Sequence, residues 1–360
     1  MQTSIDPNMY FAQVIIDWYQ QHKRDLPWRH TKDPYVIWLS EIIMQQTRVE
    51  QGTPYFDRFV EKYPTIADFA SAEEGEILKL WQGLGYYSRG RNMHYTARMV
   101  MEEHGGYFPR DYAALLKLKG IGEYTAAAIA SFSANEVRAV VDGNVYRLLA
   151  RFFAISLPIN SGQGKKVFSD LANKLIDKKQ AGTYNQAAME FGALVCKPRK
   201  PECSCCPLRP DCAAFNTGQV NLLPVKIKTQ KIRERYFNYI IALENDGILM
   251  NKRGPNDIWG NLYELPLFET ERLIDAGRLT TEEKFVKAFG TEVHIKSVTG
   301  PVKHILSHQK LWATFFKIEN YTKLSDLPEG WTHVKMPDLE TLAQPKLIFH
   351  FLENFFKLKD

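Results

Sequence analysis

Four cysteines, Cys196, Cys203, Cys206 and Cys212, fall within 17 residues in the spacing C-x6-C-x2-C-x5-C. Four thiolates this close in sequence can converge on one metal centre. The spacing lacks the paired CxxC repeats of a zinc ribbon. It suits a cubane iron–sulfur cluster, which takes four Cys ligands from a compact loop. Structural zinc, which also accepts four thiolates, is the alternative. Disulfides fit less well in a chain that reads as cytosolic. Cys205, next to Cys206, is either an inert neighbour or a substitute ligand.

Two carboxylates stand in unusual settings. Glu41 lies in Ser40-Glu41-Ile42-Ile43-Met44-Gln45-Gln46-Thr47, with Ile37 and Trp38 one turn earlier. A carboxylate in so apolar a helix is paired or desolvated. Desolvation raises its pKa and suits it to general-acid work, whereas an exposed Glu would do nothing of the kind. Asp142, in Val140-Val141-Asp142-Gly143-Asn144-Val145, follows two β-branched residues and precedes a helix start. It reads as an N-cap, and equally as a carboxylate kept ionised at a helix N-terminus to face developing positive charge.

Three further segments carry binding chemistry. Leu118-Lys119-Gly120-Ile121-Gly122-Glu123-Tyr124-Thr125 sets two glycines before a small-residue helix. Glycines let a backbone approach phosphate closely, and the helix N-terminus aims N–H groups at it. That is a helix-hairpin-helix signal for DNA backbone, although GxG also serves plain interhelical turns. Leu26-Pro27-Trp28-Arg29, after Arg24, could stack on a base and grip a phosphate, or only anchor a loop. Gly83-Leu84-Gly85-Tyr86-Tyr87-Ser88-Arg89 is a glycine-hinged aromatic turn suited to close DNA approach.

The elements that must position these residues divide the chain. Its 360 residues predict two or three domains, and 45% hydrophobic with 24% charged residues is ordinary globular composition. Residues 1–220 read as successive helices, with Asp6-Pro7 and Asp33-Pro34 as cap-then-proline starts and Asp111 capping a helix through Leu118. Residues 221–234 read as a basic linker, and 226–235 hold five basic residues against one acid. Beyond it Tyr236–Leu243, Gly247–Asn251 and Trp312–Ile318 read as strands and Thr281–Phe289 as a helix, a smaller α/β domain over 235–360. The N-terminus shows no secretory signal and no apolar run approaches a membrane span, so a cytoplasmic protein without membrane contact is expected. The net charge of +5 does not by itself imply a nucleic-acid partner; basic residues cluster over 165–200, where three acids stand among Lys165, Lys166, Lys174, Lys178, Lys179, Lys197, Arg199 and Lys200.

Together these segments resemble the helix-hairpin-helix, iron–sulfur DNA glycosylases, and within them the MutY-type adenine DNA glycosylases. The resemblance covers the whole chain. It implies an all-α helix-hairpin-helix glycosylase domain over 1–220, with a [4Fe–4S] cluster loop at 196–212. It also implies a C-terminal MutT-like (Nudix-fold) domain, carried most clearly by Trp259-Gly260-Asn261-Leu262-Tyr263-Glu264-Leu265-Pro266. Strand-cleaving relatives carry a Schiff-base lysine after the hairpin; this chain has Tyr124 there, which implies a monofunctional glycosylase.

The resemblance also implies roles. Glu41 would protonate adenine N7. Asp142 would stabilise or trap the oxocarbenium-like sugar, and Tyr124 and Asn144 would line the sugar pocket. Gln186 would read the flipped adenine, with Arg24, Trp28, Arg29 and Glu190 completing the pocket. Gln46 and Tyr86 would fill the gap in the duplex, and Gly120 and Gly122 would hold backbone phosphate. The family reads 8-oxoguanine with a Phe-Ser-His loop; here the residues are Leu306-Ser307-His308, with the apolar member changed and with His304 and Lys303 near phosphate. The partner implied is duplex DNA with adenine opposite 8-oxoguanine or guanine, bound by a monomer and, in a bacterium, at the nucleoid. No G-x5-E-x7-R-E-x2-E-E run is present, so nucleotide hydrolysis is not expected. The competing readings are a bifunctional glycosylase/lyase for oxidised pyrimidines and a non-enzymatic iron–sulfur DNA-binding or redox-sensing protein.

Overall fold

A computed structural model describes residues 7–227, 232–321 and 327–357. Asp6 and part of the basic stretch, 228–231, lie outside the described residues. The chain divides into two compact units, one made of residues 1–71 with 95–228 and the other of 72–94 with 229–360. The split is therefore not a single cut in the sequence. A 23-residue segment inside the expected helical domain, carrying the Gly83–Arg89 turn, groups with the C-terminal residues.

The helices of the first 220 residues are α1 (Pro7–His22), α2 (Pro34–Ile43), α3 (Val49–Lys62), α4 (Ile66–Ser71), α5 (Glu74–Leu80), α6 (Ser88–Glu103), α7 (Tyr112–Leu115), α8 (Glu123–Ala134), α9 (Gly143–Phe152), α10 (Gly162–Leu175), α11 (Ala181–Leu194) and α12 (Ala213–Asn216). Asp33 caps α2 by accepting from Tyr35 N at 2.9 Å, with Pro34 in the first turn. Every residue of α2 except Val36 is buried, so this helix runs through the interior and carries Glu41 with it. Asp111 caps α7, but that helix ends at Leu115, and Leu118 belongs to the turn that follows. Gly120 takes φ +79°, which an L side chain resists, and Gly122 then starts α8 in an extended conformation. A Cβ on Gly122 would meet nothing within 4 Å, so the open space there is on the outside of the hairpin.

Small residues bring the helices close. α8 is buried from Thr125 to Ser133 and packs on α2 and α11. α11 meets α9 at Gly192, where a Cβ would lie 2.8 Å from both Cβ and O of Asn144. Asn185, fully buried on α11, accepts from Val140 N (3.0 Å) and donates to Ser131 Oγ (2.9 Å) and Arg138 O (2.7 Å). That amide fixes the loop leading into Asp142.

The second unit holds a sheet in the order β3-β2-β1-β6-β5, with β4 paired to β1 and β7 to β2. Its strands are β1 (Arg233–Glu244), β2 (Gly247–Lys252), β3 (Tyr263–Glu264), β4 (Leu267–Thr270), β5 (His294–Ile305), β6 (Gln309–Glu319) and β7 (Trp331–Lys335), and its C-terminal helices are α13 (Ala276–Leu279), α14 (Glu283–Phe289) and α15 (Lys346–Lys357). β1 runs parallel to β6, from Arg233 opposite Gln309 to Ala242 opposite Ile318. It is buried on both faces. Phe237, Tyr239 and Ile241 pack with Ile348 and Leu352 of α15, while Ile240 and Ala242 pack with Phe285 and Phe289 of α14. Two covered faces explain why β1 reads as a continuous apolar run. β1 begins at Arg233, so the expected linker is shorter than 221–234. β3, β4, β5, β7 and α15 go beyond the elements expected from sequence. Among the described residues, no helix is long and apolar enough to cross a membrane.

The Gly192 contact yields a test. We expect Gly192→Ala to cost about 1–3 kcal/mol of stability by overpacking, because both facing atoms belong to one fixed residue. Denaturant unfolding would measure this, and an unchanged midpoint would show that α9 and α11 can separate freely.

Candidate active site, cysteine cavity and reading loop

Glu41, Tyr124 and Asp142 come together in the first unit. Tyr124 OH, on the first turn of α8, donates to Glu41 Oε2 at 2.5 Å. Burial pushes the Glu41 carboxyl up to about 7, against the hydrogen bond from Tyr124; the nearby charge of Asp142 raises it further and Arg29 opposes. Burial, with the Glu41 and Asp142 charges, also drives the Tyr124 hydroxyl well above its ordinary value, so it stays a donor. Gln45 Nε2 donates to Thr125 Oγ1 at 3.2 Å beneath this pair.

Asp142 is dressed differently. It caps α9, Oδ1 accepting from Asn144 N (2.9 Å) and Val145 N (2.8 Å) and Oδ2 from Asn144 Nδ2 (2.6 Å). Burial raises its pKa, and these donors, with the charge of Arg147, pull against that rise. The N-cap expected from sequence is present in this side chain. Three donors favour its ionised form, whereas Glu41 accepts from Tyr124.

A hydrogen-bonded path leads from Asp142 to the cysteine loop. Asn144 Oδ1 accepts from Arg147 Nη2 at 2.9 Å; Arg147 also donates from Nη2 to Gly192 O and from Nε to Cys196 O, both at 2.6 Å. The sequence offers no local sign of this, because Arg147 looks like any helix arginine.

Cys196, Cys203, Cys206 and Cys212 line one cavity together with Leu148, Arg151, Phe191 and Leu208. Cys205 is exposed and is not among the lining residues. Arg151, buried on α9, donates from Nη1 to Cys196 Sγ at 3.4 Å and to Lys197 O at 2.7 Å. The Leu208 N–H donates to Cys206, and those of Ala214 and Phe215 to Cys212. Burial pushes the Cys206 thiol up to about 11 and raises Cys203 and Cys212 as well, so without a bound cation these thiols hold their protons. Among the described residues no three His, Cys, Asp or Glu side chains are arranged to hold one metal ion. Four sulfurs ringing a cavity, dressed by N–H donors and an arginine, suit a multi-atom cluster.

The proposed base pocket is organised around Glu190. This buried carboxylate accepts from Arg24 (N 3.0, Nε 2.9, Nη2 2.7 Å) and Arg29 (Nη1 3.1, Nη2 2.8 Å). Burial pushes Glu190 up, but the hydrogen bonds of Arg24 and Arg29 and the Arg29 charge outweigh it and carry the carboxyl down to about 2. Glu190 thus orients two arginines and presents no open oxygen of its own. Gln186 Oε1 accepts from Tyr19 OH at 2.7 Å, leaving the amide NH2 as its other recognition group. The Arg29 guanidinium lies 5.4 Å from the Tyr19 ring centre. Tyr19, buried on α1, thus touches both Gln186 and Arg29, a contact that sequence reasoning did not single out. Trp28 is half-buried against Phe56, ring centres 5.2 Å apart. Gln46 is exposed at φ +57°.

Tyr86, Ser307 and His308 fall in the second unit. Leu306–Gln309 turns from β5 into β6, closed by Leu306 N to Gln309 O at 2.8 Å. Tyr86, at φ +48° and half exposed, hydrogen-bonds Ser307 Oγ through its hydroxyl. His308 O accepts from Arg233 N at 3.2 Å. His304 is pushed down by burial and by Lys346, and Lys303 lies 5.5 Å from the Trp312 ring centre.

Residues 39–174 match the HhH-GPD superfamily of base excision DNA repair proteins, and residues 238–354 match the NUDIX domain. The chain is 31% identical over 354 residues to the adenine DNA glycosylase of Buchnera aphidicola subsp. Acyrthosiphon pisum, covering 96% of this chain and 98% of that protein. The human adenine DNA glycosylase is 33% identical over 392 residues, covering 92% of this chain and 71% of its own length. A thermostable thymine-DNA glycosylase structure superposes with TM-score 0.55 at 32% identity, covering 58% of this chain and 97% of its own. A non-covalent Endonuclease III–DNA complex superposes with TM-score 0.51 at 21% identity, over 59% and 99%, which shows the fold.

The raised Glu41 pKa has a consequence for stability. Between its ordinary 4.5 and about 7, the unfolded carboxyl has lost its proton and the folded one retains it. Stability therefore falls as pH rises through that window, and the deficit is complete above it. We expect Glu41→Gln to stabilise the protein by up to about 3 kcal/mol near pH 8 and by little near pH 4.5. Unfolding at the two pH values checks this; an equal effect at both would place the cause outside ionisation.

Proposed function

The chain belongs to the adenine DNA glycosylases of base excision repair, and we propose that it flips adenine out of a duplex opposite 8-oxoguanine or guanine and hydrolyses its N-glycosidic bond. The observation that carries this reading is the unequal dressing of two carboxylates near enough to influence each other. Glu41, raised to about 7, keeps a proton to deliver to adenine N7, while Tyr124 holds its other oxygen. Asp142, held by three donors, faces the positive charge that develops on the sugar as the base leaves, either as an ion or by forming a transient bond to C1′. Asn144 and Tyr124 line the sugar side. Water completes the hydrolysis, and no lysine stands at the position of Tyr124, so no Schiff base forms and the strand remains intact.

Recognition divides in the same way. Gln186, positioned by Tyr19, offers its amide to the adenine edge, with Trp28, Arg24 and Arg29 around it and Glu190 fixing the arginines. Gly120 and Gly122 bring backbone N–H groups to phosphate. Ser307 and His308 hydrogen-bond the oxidised guanine, and Gln46 and Tyr86 occupy the gap left in the stack. Cys196, Cys203, Cys206 and Cys212 would hold a [4Fe–4S] cluster, whose iron–sulfur bonds would cross-link the 196–212 loop and present Lys197, Arg199 and Lys200 to DNA. The protein would act as a monomer on cytoplasmic, nucleoid-associated DNA.

Single-turnover base release from duplexes with adenine opposite 8-oxoguanine, guanine or thymine tests the reading. We expect release opposite 8-oxoguanine, with strand breaks appearing only after alkali. Glu41→Gln should lower the rate by about 10²–10⁴ and leave duplex binding intact. The wild-type rate should fall as pH rises through about 7, where Glu41 loses its proton. A cluster-loaded preparation that binds duplex but releases no base would overturn the reading in favour of a DNA-binding protein.

A further inference from the structure

Arg151 stands one turn beyond Arg147 on α9 and is the more deeply buried of the two, 3% exposed against 8%. It meets the cysteine loop at both ends. Nη1 donates to Lys197 O (2.7 Å) and Nη2 to Pro198 O (3.3 Å), just after Cys196. Nε donates to Val220 O and Leu223 O, both at 3.0 Å, beyond Cys212. Two of the cysteines touch this residue themselves: Nη1 donates to Cys196 Sγ at 3.4 Å, and Cys212 Sγ lies 3.6 Å from Arg151 O. One planar guanidinium thus spans the chain entering the loop and the chain leaving it, a reach that the point-like ammonium of a lysine lacks.

What Arg151 lacks is a counter-charge. Among the described residues no carboxylate forms an ion pair with it, and its oxygen partners are all neutral carbonyls. Arg147, four residues earlier on the same helix, carries the same sign. A buried charge with neither a partner nor water is costly, and a neutral amide could have satisfied carbonyls without that cost. The cysteine cavity can supply the missing sign. Arg151 lines it with Cys196, Cys203, Cys206 and Cys212. Cysteines that ligate metal do so as thiolates, and four of them leave an iron–sulfur centre net negative. Arg209 also lines the cavity, but it is exposed, so solvent screens its charge.

We propose that Arg151 is a positioning residue for the cluster: it ties the two ends of the cysteine loop together and raises the cluster's reduction potential by placing a buried positive charge against Cys196 Sγ. This rests on the reading that the four cysteines hold a [4Fe–4S] cluster. Reduction adds negative charge, which a nearby cation and an N–H group on a ligating sulfur both stabilise. The two effects of Arg151 are separable. Its charge acts on the potential, and its planar fork acts on the segment that carries Lys197 and Arg199.

The test uses the full chain loaded with iron and sulfide. Wild type, Arg151→Lys, Arg151→Met and Arg151→Gln are compared by voltammetry and by the rate at which an iron chelator bleaches the visible absorbance. Arg151→Met and Arg151→Gln remove the charge, and each should lower the reduced-to-oxidised ratio at a fixed electrode potential by about tenfold, a shift of about 59 mV for a one-electron couple. Arg151→Lys should keep most of the wild-type potential and yet lose its cluster faster, because the charge remains and the fork is gone. A merely structural role would move the bleaching rate alone. An unshifted potential in a loaded neutral variant overturns the proposal, as does an equal shift in Arg151→Lys. Should neither neutral variant take up a cluster, loading of Arg151→Lys upholds the role of the charge and failure of all three variants overturns it. Wild type that takes up no iron removes the cluster reading itself, and this proposal with it.

Discussion

One buried guanidinium ties the start of α9, the end of α11 and the cysteine loop of the first unit together. Arg147 is 8% exposed and donates to four acceptors: Gly143 O and Asn144 Oδ1 beside Asp142, Gly192 O on α11 and Cys196 O in the cysteine loop. The contact to Gly192 O is buried and the others are half-buried. Withdrawing the arginine would leave Gly192 O unsatisfied, at a cost of about 1–3 kcal/mol. Burying the charge itself is costly, and burial does pull its pKa down. The arrangement persists because planar donors reach three elements at once, which a lysine could not do. The spacing of α9 and α11, set by Gly192, is the condition that lets it happen.

The consequence reaches the carboxylates. Asn144 uses its amide oxygen on Arg147 and its NH2 on Asp142, so the orientation of one end dictates the other. One of the three donors to Asp142, Asn144 Nδ2, is thus oriented through Arg147, while the other two are backbone N–H groups of α9. Glu41 depends on a different support, the interior helix α2 and the Tyr124 hydroxyl. Two carboxylates with separate supports can keep separate protonation states. If both were dressed alike and faced each other in low dielectric, they would share one titration. Keeping a protonatable acid buried costs stability at neutral pH, a cost that Glu264, paired with Arg253 in the second unit, shares with Glu41.

Much of this was legible in the chain itself. The four cysteines, the apolar frame around Glu41, the Gly120 hairpin and the doubly buried β1 all carry local signals, and the structure brings each to a definite place. What was not legible is long-range. Glu190 reads as a pocket residue but serves as a clamp for Arg24 and Arg29, more than 160 residues earlier. Tyr19 reads as core because its spacing is that of its apolar neighbours, and only the fold turns its hydroxyl to Gln186. β5 escapes pattern reading because nearly all of it is exposed and Gly300-Pro301 interrupts it. Residues 72–94 are helical and polar like the rest of their surroundings. Nothing in their composition says that Glu74 and Arg91 hydrogen-bond the turn at Gly260 and Asn261.

On the proposed function adenine is an undamaged base, and this shapes what the second unit would have to do. A pocket that reads adenine alone, however well Gln186 fits it, has the same affinity for adenine from a correct pair as from a mispair. Specificity is a difference between two free energies, and contacts common to both substrates cancel from it. The base that distinguishes the substrates is the one left in the opposite strand. Contacts to that base are therefore the ones able to separate repair from damage, and they raise the selectivity of bond cleavage only to the extent that they persist in the transition state. The pocket at Ser307 and His308, one wall of which Arg235, Arg253 and Arg91 fix on the turn at Asp257–Gly260, would lose little ordering entropy on binding. On the proposed function, rigidity in the reading surface and a proton held on Glu41 would be two halves of a single requirement, action on an ordinary base only when its partner is wrong.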